Sequence, residues 1–357
     1  MLWINISDCI AQEELEHRTK SQGERVQPEM AGASKRSRVL LSGSIAYDYI
    51  MAFPGFFGDH ILPDKTHMLS VSFLVESLKR QRGGVAGNIA YSLALLGERP
   101  LLAGAGGADF GPYREAFDGI GVDLSLVMDV QSELTASAFM MVDQRDNQIA
   151  SFYPGASSKT GDLSVFDAAK GVSYGLVGPT LPLAMRNHAH EIAQAGAKLV
   201  YDPSQQIVAL SPEDILAGIE DAWALVGNDY EFAMIEKKTG LSIDALKERV
   251  ELLVETYGED GSEFFANGSS VRIPAVLSDK AVEPSGAGDA FRAGFIKGLL
   301  IGADYAVTGR MASLAATYAV EHHGTQEHCY TIDEYVTRFD QSFPDFAGSV
   351  TVEQLRA

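Results

Sequence analysis

Short apolar runs separated by helical segments recur along most of this chain. Residues 87–96 carry small and apolar side chains at helical spacing. The apolar runs fall at residues 39–45, 101–105, 176–178, 199–201, 224–226 and 252–256. Short buried strands that alternate with helices indicate an α/β fold, in which a parallel sheet is covered on both faces. Such sheets bind ligands at the carboxyl ends of their strands, so the residues after each strand are the most informative about function.

The composition argues against several classes of function. The 357 residues, 46% of them hydrophobic, suffice for a substantial core in one large domain or two ordinary ones. A formal net charge of −20 argues against nucleic acid or an anionic membrane as a partner. The two cysteines, Cys9 and Cys329, are too few for a disulfide framework or a zinc site. We also expect a cytoplasmic protein, because the sequence lacks a membrane-spanning run and the apolar core of a secretory signal.

The two ends of the chain lie outside the alternating pattern. Residues 1–37 are polar and charged, and we predict an N-terminal extension that the chemistry does not need. Residues 38–345 make up the expected main domain. Residues 346–357 are expected to form a C-terminal tail.

A second departure from the pattern lies within the main domain. Residues 136–143 and 148–153 predict a pair of strands joined by a polar turn, and residues 49–76 are irregular and rich in Phe, Gly and His. We predict that segments 49–76 and 134–155 together form a small sheet that stands off the main domain. An ordinary edge hairpin is the alternative.

Residues 283–295, with the sequence E-P-S-G-A-G-D-A-F-R-A-G-F, place small residues before an acid at the start of a helical pattern. Gly286, Ala287 and Gly288 can bring backbone N–H groups close to an anion, which the helix dipole also favours. Asp289 beside such an anion hole suggests a base next to a phosphoryl group in transfer. The structural alternative is an Asp that caps a helix.

The whole stretch resembles the signature of the ribokinase-like (PfkB) sugar and nucleoside kinases, D-P/T-T-G-A-G-D-x-F-x-x-G. The resemblance implies a three-layer α/β/α fold with a mostly parallel central sheet and a small β lid that closes over the substrate. It also implies an ATP- and Mg²⁺-dependent phosphotransferase, with Asp289 as the base and residues 286–288 as the anion hole. Some members bind a monovalent cation here. Glu283 and Ser285 stand where the family often has Asp and Thr, which leaves activation by K⁺ open.

Two further segments carry the residues expected to bind the acceptor substrate. Asp48 follows the first apolar run and could accept hydrogen bonds from sugar hydroxyls, although an Asp that caps a turn or helix is the alternative. Gly83 and Gly84 open the next helix and would let a ligand approach the backbone, and Asn88 offers both a donor and an acceptor. The family resemblance through the G-G-x-x-x-N segment assigns sugar binding to these four residues.

Two other segments are expected to bind the nucleotide. Asn228 and Glu231 match the family's N-x-x-E motif, which implies contact with Mg²⁺ through water; a helix cap is the alternative. Thr256, Gly258 and Gly261 match its T-x-G-x-x-G loop, which implies contacts with the ATP phosphates and a turn at the last glycine.

Other motifs are less specific. Residues 104–111 lack the third glycine of a dinucleotide fingerprint, and we interpret them as structural. Phe152 lies in a segment whose aromatic side chains could stack on a purine or sugar, or pack in the core. His322 and His323 lie near the region that lines the adenine pocket in the family, although histidines at the exposed end of a helix are an equal alternative.

Within the family the resemblance is closest to bacterial adenosine kinases and covers residues 38–345. It implies phosphorylation of the 5′-hydroxyl of adenosine to give AMP and ADP. Ribose or another sugar or nucleoside is the alternative acceptor, and a non-catalytic ligand sensor is a third reading. The expected partner is a small nucleoside or sugar, and the chain is expected to be a monomer or a homodimer.

Overall fold

The computed structural model describes residues 38–60 and 71–357 of the chain. The strands of this part are β1 (Arg38–Ser42), β2 (Ala46–Ala52), β3 (Ser77–Gly83), β4 (Leu101–Gly107), β5 (Asp123–Val130), β6 (Ala136–Val142), β7 (Gln148–Tyr153), β8 (Val172–Val177), β9 (Lys198–Tyr201), β10 (Ala224–Asn228), β11 (Leu252–Thr256), β12 (Ser262–Ala266) and β13 (Ser269–Ile273). The predicted extension at 1–37 lies outside the described residues.

The α-helices of the same part are α1 (Phe57–His60), α2 (Val85–Leu95), α3 (Gly111–Gly119), α4 (Phe166–Ala169), α5 (Pro182–Gln194), α6 (Pro212–Asp221), α7 (Asp229–Thr239), α8 (Ile243–Lys247), α9 (Ala287–Leu300), α10 (Tyr305–Val320), α11 (Ile332–Ser342) and α12 (Val352–Arg356). Among the described residues, none of these helices combines the length and the apolar character needed to cross a membrane.

The central sheet has the strand order β13-β12-β11-β10-β9-β8-β1-β4-β5 within the described residues. All pairs from β5 to β11 are parallel, whereas β12 and β13 are antiparallel to their neighbours. The β12–β13 hairpin turns at Asn267 and Gly268, where φ is 51° and 72°. Both left-handed conformations suit an Asn-Gly turn, which is typical of a two-residue β-hairpin.

The core forms two apolar clusters that lie against the central sheet. Val39 and Leu41 belong to one cluster, whereas Leu40 between them belongs to the other. Alternate residues of a strand point to opposite faces of a sheet, so this division follows the pleat of β1. Helices α9 and α2 pack in the first cluster, and α5 and α6 in the second. The prediction of a parallel sheet with both faces covered is therefore confirmed.

A second, small sheet has the strand order β3-β2-β6-β7. Strands β6 and β7 are the predicted pair, and they are antiparallel. The boundaries predicted for the other half, residues 49–76, were wrong: β2 begins at Ala46 and β3 begins at Ser77. The polar sequence of β3, S-L-K-R-Q-R-G, gave no strand signal, and residues 61–70 lie outside the description.

The C-terminal segment, residues 346–357, is part of the packed fold rather than the expected tail. Val350 and Leu355 are buried in the first core cluster. The buried ammonium of Lys297 on α9 donates a hydrogen bond to the Leu355 carbonyl at 2.8 Å. Helix α12 therefore anchors the chain end against α9.

Candidate active site

Helix α9 begins after a left-handed glycine, Gly286, and the amide groups of its first turn follow directly. Gly286 has φ +80° and lies against Thr325, where a Cβ would approach within 3.0 Å. The Ala287 amide donates to the Pro284 carbonyl at 3.2 Å, so it would have to change partners to bind an anion. The Gly288 and Asp289 amides donate to no other described residue. Of the predicted anion hole, the amides of Gly286 and Gly288 are therefore better prepared than that of Ala287, and the amide of Asp289 lies beside them.

The Asp289 carboxyl lies in the first turn of α9 and meets the carboxamide of Asn88. Asn88 Nδ2 donates a hydrogen bond to Asp289 Oδ2 at 2.7 Å. Burial raises the pKa of Asp289 to about 7; the Asn88 bond and Arg292 oppose this shift, and Asp202 and Asp48 add to it. A carboxyl group with a pKa near neutrality is matched to accept a proton from a substrate hydroxyl.

Asn88 is held in one orientation by a buried network. Its Oδ1 accepts hydrogen bonds from Thr325 Oγ1 and Gln326 Nε2, each at 2.9 Å. Gln326 Nε2 also donates to the Tyr113 hydroxyl, which donates to the Gly83 carbonyl, again at 2.9 Å in both cases. With two donors on its oxygen, the Asn88 amide can present only its nitrogen to Asp289.

In the sequence Asp48 follows the first apolar run, whereas in the structure it lies within a strand of the small sheet and not in a turn. The first strand ends at Ser42, and Asp48 is the third residue of β2. A Cβ on Gly83 would overlap the Asp48 carboxylate, so only glycine leaves room for it. Gly84 has φ +88° and caps the start of α2, which carries Asn88. Burial raises the pKa of Asp48 to about 6, and the negative charge of Glu283 adds to the shift.

The predicted nucleotide residues lie at the carboxyl ends of β10 and β11. Asn228 and Glu231 form a capping box: Asn228 Oδ1 accepts from the Glu231 amide and Glu231 Oε2 from the Asn228 amide, both at 2.8 Å. Thr256 is in register with Asn228. Gly258 and Gly261 shape the next turn with φ of 58° and 88°. Within the described residues, no hydrogen bond joins these two glycines to Asp289.

Other residues near the site were given no role from the sequence. Arg292 and Asp202 form a buried ion pair beside the first turn of α9. Thr325, Gln326 and Tyr113 hold Asn88.

The two candidate adenine-pocket histidines lie at the end of α10. His322 Nδ1 is 2.9 Å from the Tyr318 carbonyl. His323 is exposed and lies 3.5 Å from Glu283. Both positions fit histidines at a helix end, the alternative noted from the sequence.

Comparison with known proteins identifies the family. A match to the family described as pfkB family carbohydrate kinase extends over residues 48–332. The chain belongs to this family. It is 32% identical over 308 residues to a nucleoside kinase of Methanothermobacter thermautotrophicus, covering 84% of this chain and 95% of the relative. It is also 26% identical over 310 residues to a ribokinase of Haemophilus influenzae, covering 84% of this chain and 97% of that one.

Solved structures of this kinase family share the fold. The nucleoside kinase of Burkholderia thailandensis in complex with inosine superposes with a TM-score of 0.78 and 37% identity, covering 86% of this chain and 98% of that one. The same enzyme in complex with ADP-inosine gives 0.76 and 38%, covering 86% and 96%. The pfkB member described here is thus a ribokinase-like kinase that transfers a phosphoryl group to a hydroxyl group, and the reading as a non-catalytic sensor is set aside.

Proposed function

We propose that this kinase transfers the γ-phosphoryl group of ATP to the 5′-hydroxyl of a nucleoside, with adenosine as the expected acceptor. The observation that carries the proposal is the Asp289 carboxyl, with its pKa near neutrality, held by Asn88 at the amide-lined start of α9. ATP use is supported by the ADP-inosine complex of the Burkholderia enzyme, and a nucleoside acceptor by that complex and the Methanothermobacter relative.

In the proposed reaction Asp289 accepts the proton of the 5′-hydroxyl while the oxygen of that hydroxyl bonds to the γ-phosphorus. The bond from that phosphorus to the β,γ-bridging oxygen breaks, which gives AMP and ADP from adenosine and ATP. The amides of Gly288 and Asp289 stabilise the charge on the transferred group. Asn88 keeps the carboxylate oriented toward the hydroxyl, and Asp48 is placed to accept hydrogen bonds from the sugar hydroxyls.

The residues assigned to Mg²⁺ fit an ion held chiefly by phosphate oxygens and water. Within the described residues, no cluster of three or more His, Cys, Asp or Glu side chains could hold a metal ion. Glu231 uses Oε2 for the Asn228 amide, so its carboxylate is fixed at the carboxyl end of β10. Carboxylate and amide oxygens suit contact with the hydration shell of Mg²⁺. When bound, the ion would neutralise charge on the phosphates.

The small sheet presents one face to this site and is proposed to act as a lid. In register, Asp48, Gln81, Ala138 and Phe152 lie side by side across its four strands. Gln81 Nε2 packs closely against Gly324, because a Cβ added to Gly324 would lie only 2.7 Å from it. This face of the sheet therefore lies against the loop that holds Asn88. Phe152 is 58% exposed. It stands two strands from Asp48, about 10 Å away. We propose that Asp48 contacts the sugar and Phe152 the base of one bound nucleoside.

Phe152→Ala should therefore weaken the binding of nucleosides but not that of sugars without a base. A base stacked on an aromatic ring contributes about 1–3 kcal/mol, so we expect KM for adenosine to rise roughly 5- to 150-fold. Ribose has no base and its KM, or its Kd if it is not turned over, should change by less than about 2-fold. The matched control is Ile149→Ala, which removes an exposed apolar side chain from the opposite face of β7. An equal loss for ribose and adenosine would contradict the stacking role.

The proposed function is tested by measuring ADP release with ATP, Mg²⁺ and a panel of acceptors. We expect the highest kcat/KM with adenosine, measurable turnover of inosine, and much weaker turnover of ribose and fructose. A preference for ribose over every nucleoside would instead support the ribokinase alternative. The reaction product, isolated and analysed by ³¹P NMR, should carry its phosphate on the 5′-oxygen.

A further inference from the structure

A buried guanidinium joins the three segments that surround the proposed phosphoryl-transfer site. Arg292, on α9, is only 6% exposed, and its side chain runs back toward the start of the helix. Arg292 Nη1 donates to the Gly288 carbonyl at 3.0 Å. Its Nη2 donates to Asp202 Oδ1 at 2.6 Å, and its Nε pairs with Asp202 Oδ2.

The same guanidinium also lies 3.7 Å from Glu231 Oε2. Asp202 directly follows β9, and Glu231 lies in the first turn of α7 after β10. One planar group therefore contacts the amide-lined turn of α9, the end of β9 and the N-x-x-E motif. Burial alone would lower the pKa of Arg292, but the charge of Asp202 outweighs it and the pKa is raised, so the group stays charged.

Gly288 leaves room for the Arg292 side chain, in addition to offering its amide to an anion. A Cβ on Gly288 would lie 2.9 Å from Arg292 Nη1, which is closer than van der Waals contact allows. The guanidinium thus packs directly beneath the turn that would receive the phosphoryl group. Any shift of Arg292 would be transmitted to the Gly288 carbonyl and to the neighbouring amides.

We propose that Arg292, fixed by Asp202, is a positioning residue that sets the first turn of α9 relative to Glu231. A buried ion pair contributes little net stability, because desolvation of two charges offsets their attraction. The bidentate geometry of the pair, however, fixes the orientation of the guanidinium as well as its distance from Asp202, which a lysine cannot reproduce. The inference rests on the proposed function, because its kinetic meaning depends on phosphoryl transfer at this turn.

The test compares Arg292→Lys and a double variant, Asp202→Asn with Arg292→Met, with the wild type. The double variant removes both charges of the Asp202–Arg292 pair, and the Glu231 carboxylate keeps its hydrogen bond from the Asn228 amide. It should therefore fold even if a single variant does not. The matched control is Glu98→Gln. Glu98 pairs at 2.6 Å with Lys297, another buried cation on α9 that lies more than one turn further along.

Misplacement of reacting groups by about 1 Å can cost about 100-fold in rate. We therefore expect kcat to fall roughly 10- to 100-fold in Arg292→Lys and in the double variant, with KM for the nucleoside changed by less than about 3-fold. Glu98→Gln should lower Tm but keep kcat within about 2-fold of the wild type. A folded double variant with wild-type kcat would overturn the proposal, as would a rise in KM at constant kcat.

Hydrogen exchange provides a readout that does not depend on turnover. The amide of Ala290 donates to the Gly286 carbonyl at 2.9 Å and reports opening of the first turn of α9. Its exchange should be at least about 10-fold faster in Arg292→Lys and unchanged in Glu98→Gln. Unchanged exchange in Arg292→Lys would overturn the positioning role. If the wild type turned over no acceptor, the proposed function would fail, while this measurement would still decide the positioning.

Discussion

Asp289→Asn should lower kcat by about 10²- to 10⁴-fold, the range that a positioned general base contributes. The amide cannot accept the proton of the attacking hydroxyl, yet it has nearly the same shape as the carboxyl group. The Asn88 contact at 2.7 Å can be kept, since the side-chain oxygen of the new residue can still accept it. KM for the nucleoside should therefore change far less than kcat. Single-turnover measurements with saturating ATP would isolate the chemical step.

The same substitution should leave the protein folded and make it more stable at high pH. Burial raises the pKa of Asp289 to about 7 from its ordinary value of 3.8. A carboxyl with a raised folded pKa contributes stability that is fully present below the unfolded pKa and is lost as pH rises through the folded pKa. Asparagine does not ionise. The Tm of the variant relative to the wild type should consequently increase between about pH 4 and pH 8.

Asp304→Asn is the matched control for this prediction. Asp304 caps α10 through a bond to the Val307 amide at 2.8 Å, and asparagine caps helices about as well. Its kcat should match that of the wild type. If Asp289→Asn retained near-full kcat, another group would have to be the base.

The central sheet was predictable because its strands are continuous apolar runs, buried on both faces. The small sheet was only half predictable for the opposite reason. Strand β3 is mostly exposed and polar, so it shows neither a run nor an alternation. It is a strand because β2 offers an edge to pair with, and that edge comes from a different part of the fold. The break between β1 and β2 was equally hidden, since residues 39–45 read as one run.

The residues of the candidate site could be named from the sequence, but their contacts could not. Asn88 and Asp289 are 201 positions apart and meet only because α2 packs against α9. Arg292 reads as a polar position in an apolar helix, and nothing local indicates that Asp202 is its partner. For Asn228 and Glu231 the sequence cannot distinguish a helix cap from a metal-binding motif, because both have the same spacing.

Asn88→Ala should shift the acid limb of the pH profile of kcat/KM to higher pH. Asp289 must be ionised to act as a base, so activity should rise with pH through its pKa, about 7. The Asn88 hydrogen bond lowers that pKa by stabilising the carboxylate, as does Arg292, whereas Asp48 and Asp202 raise it. Without the carboxamide the pKa increases, and more alkaline solution is needed for the same ionised fraction. We also expect kcat/KM at the pH optimum to fall about 100-fold, because the carboxylate loses its orientation.

Ser92→Ala separates this electrostatic effect from loss of a buried hydrogen bond. Ser92 lies one turn after Asn88 on α2, is equally buried, and bonds to His328 Nε2 at 3.1 Å. Its replacement should cost about 1 kcal/mol of stability and leave the acid limb where it is in the wild type. Asn88→Ala should lose somewhat more stability, since Thr325 and Gln326 lose their shared acceptor. An acid limb that stayed in place in Asn88→Ala would mean that a group other than Asp289 titrates there, because Asp289 has the one carboxyl group among the described residues that accepts a hydrogen bond from Asn88.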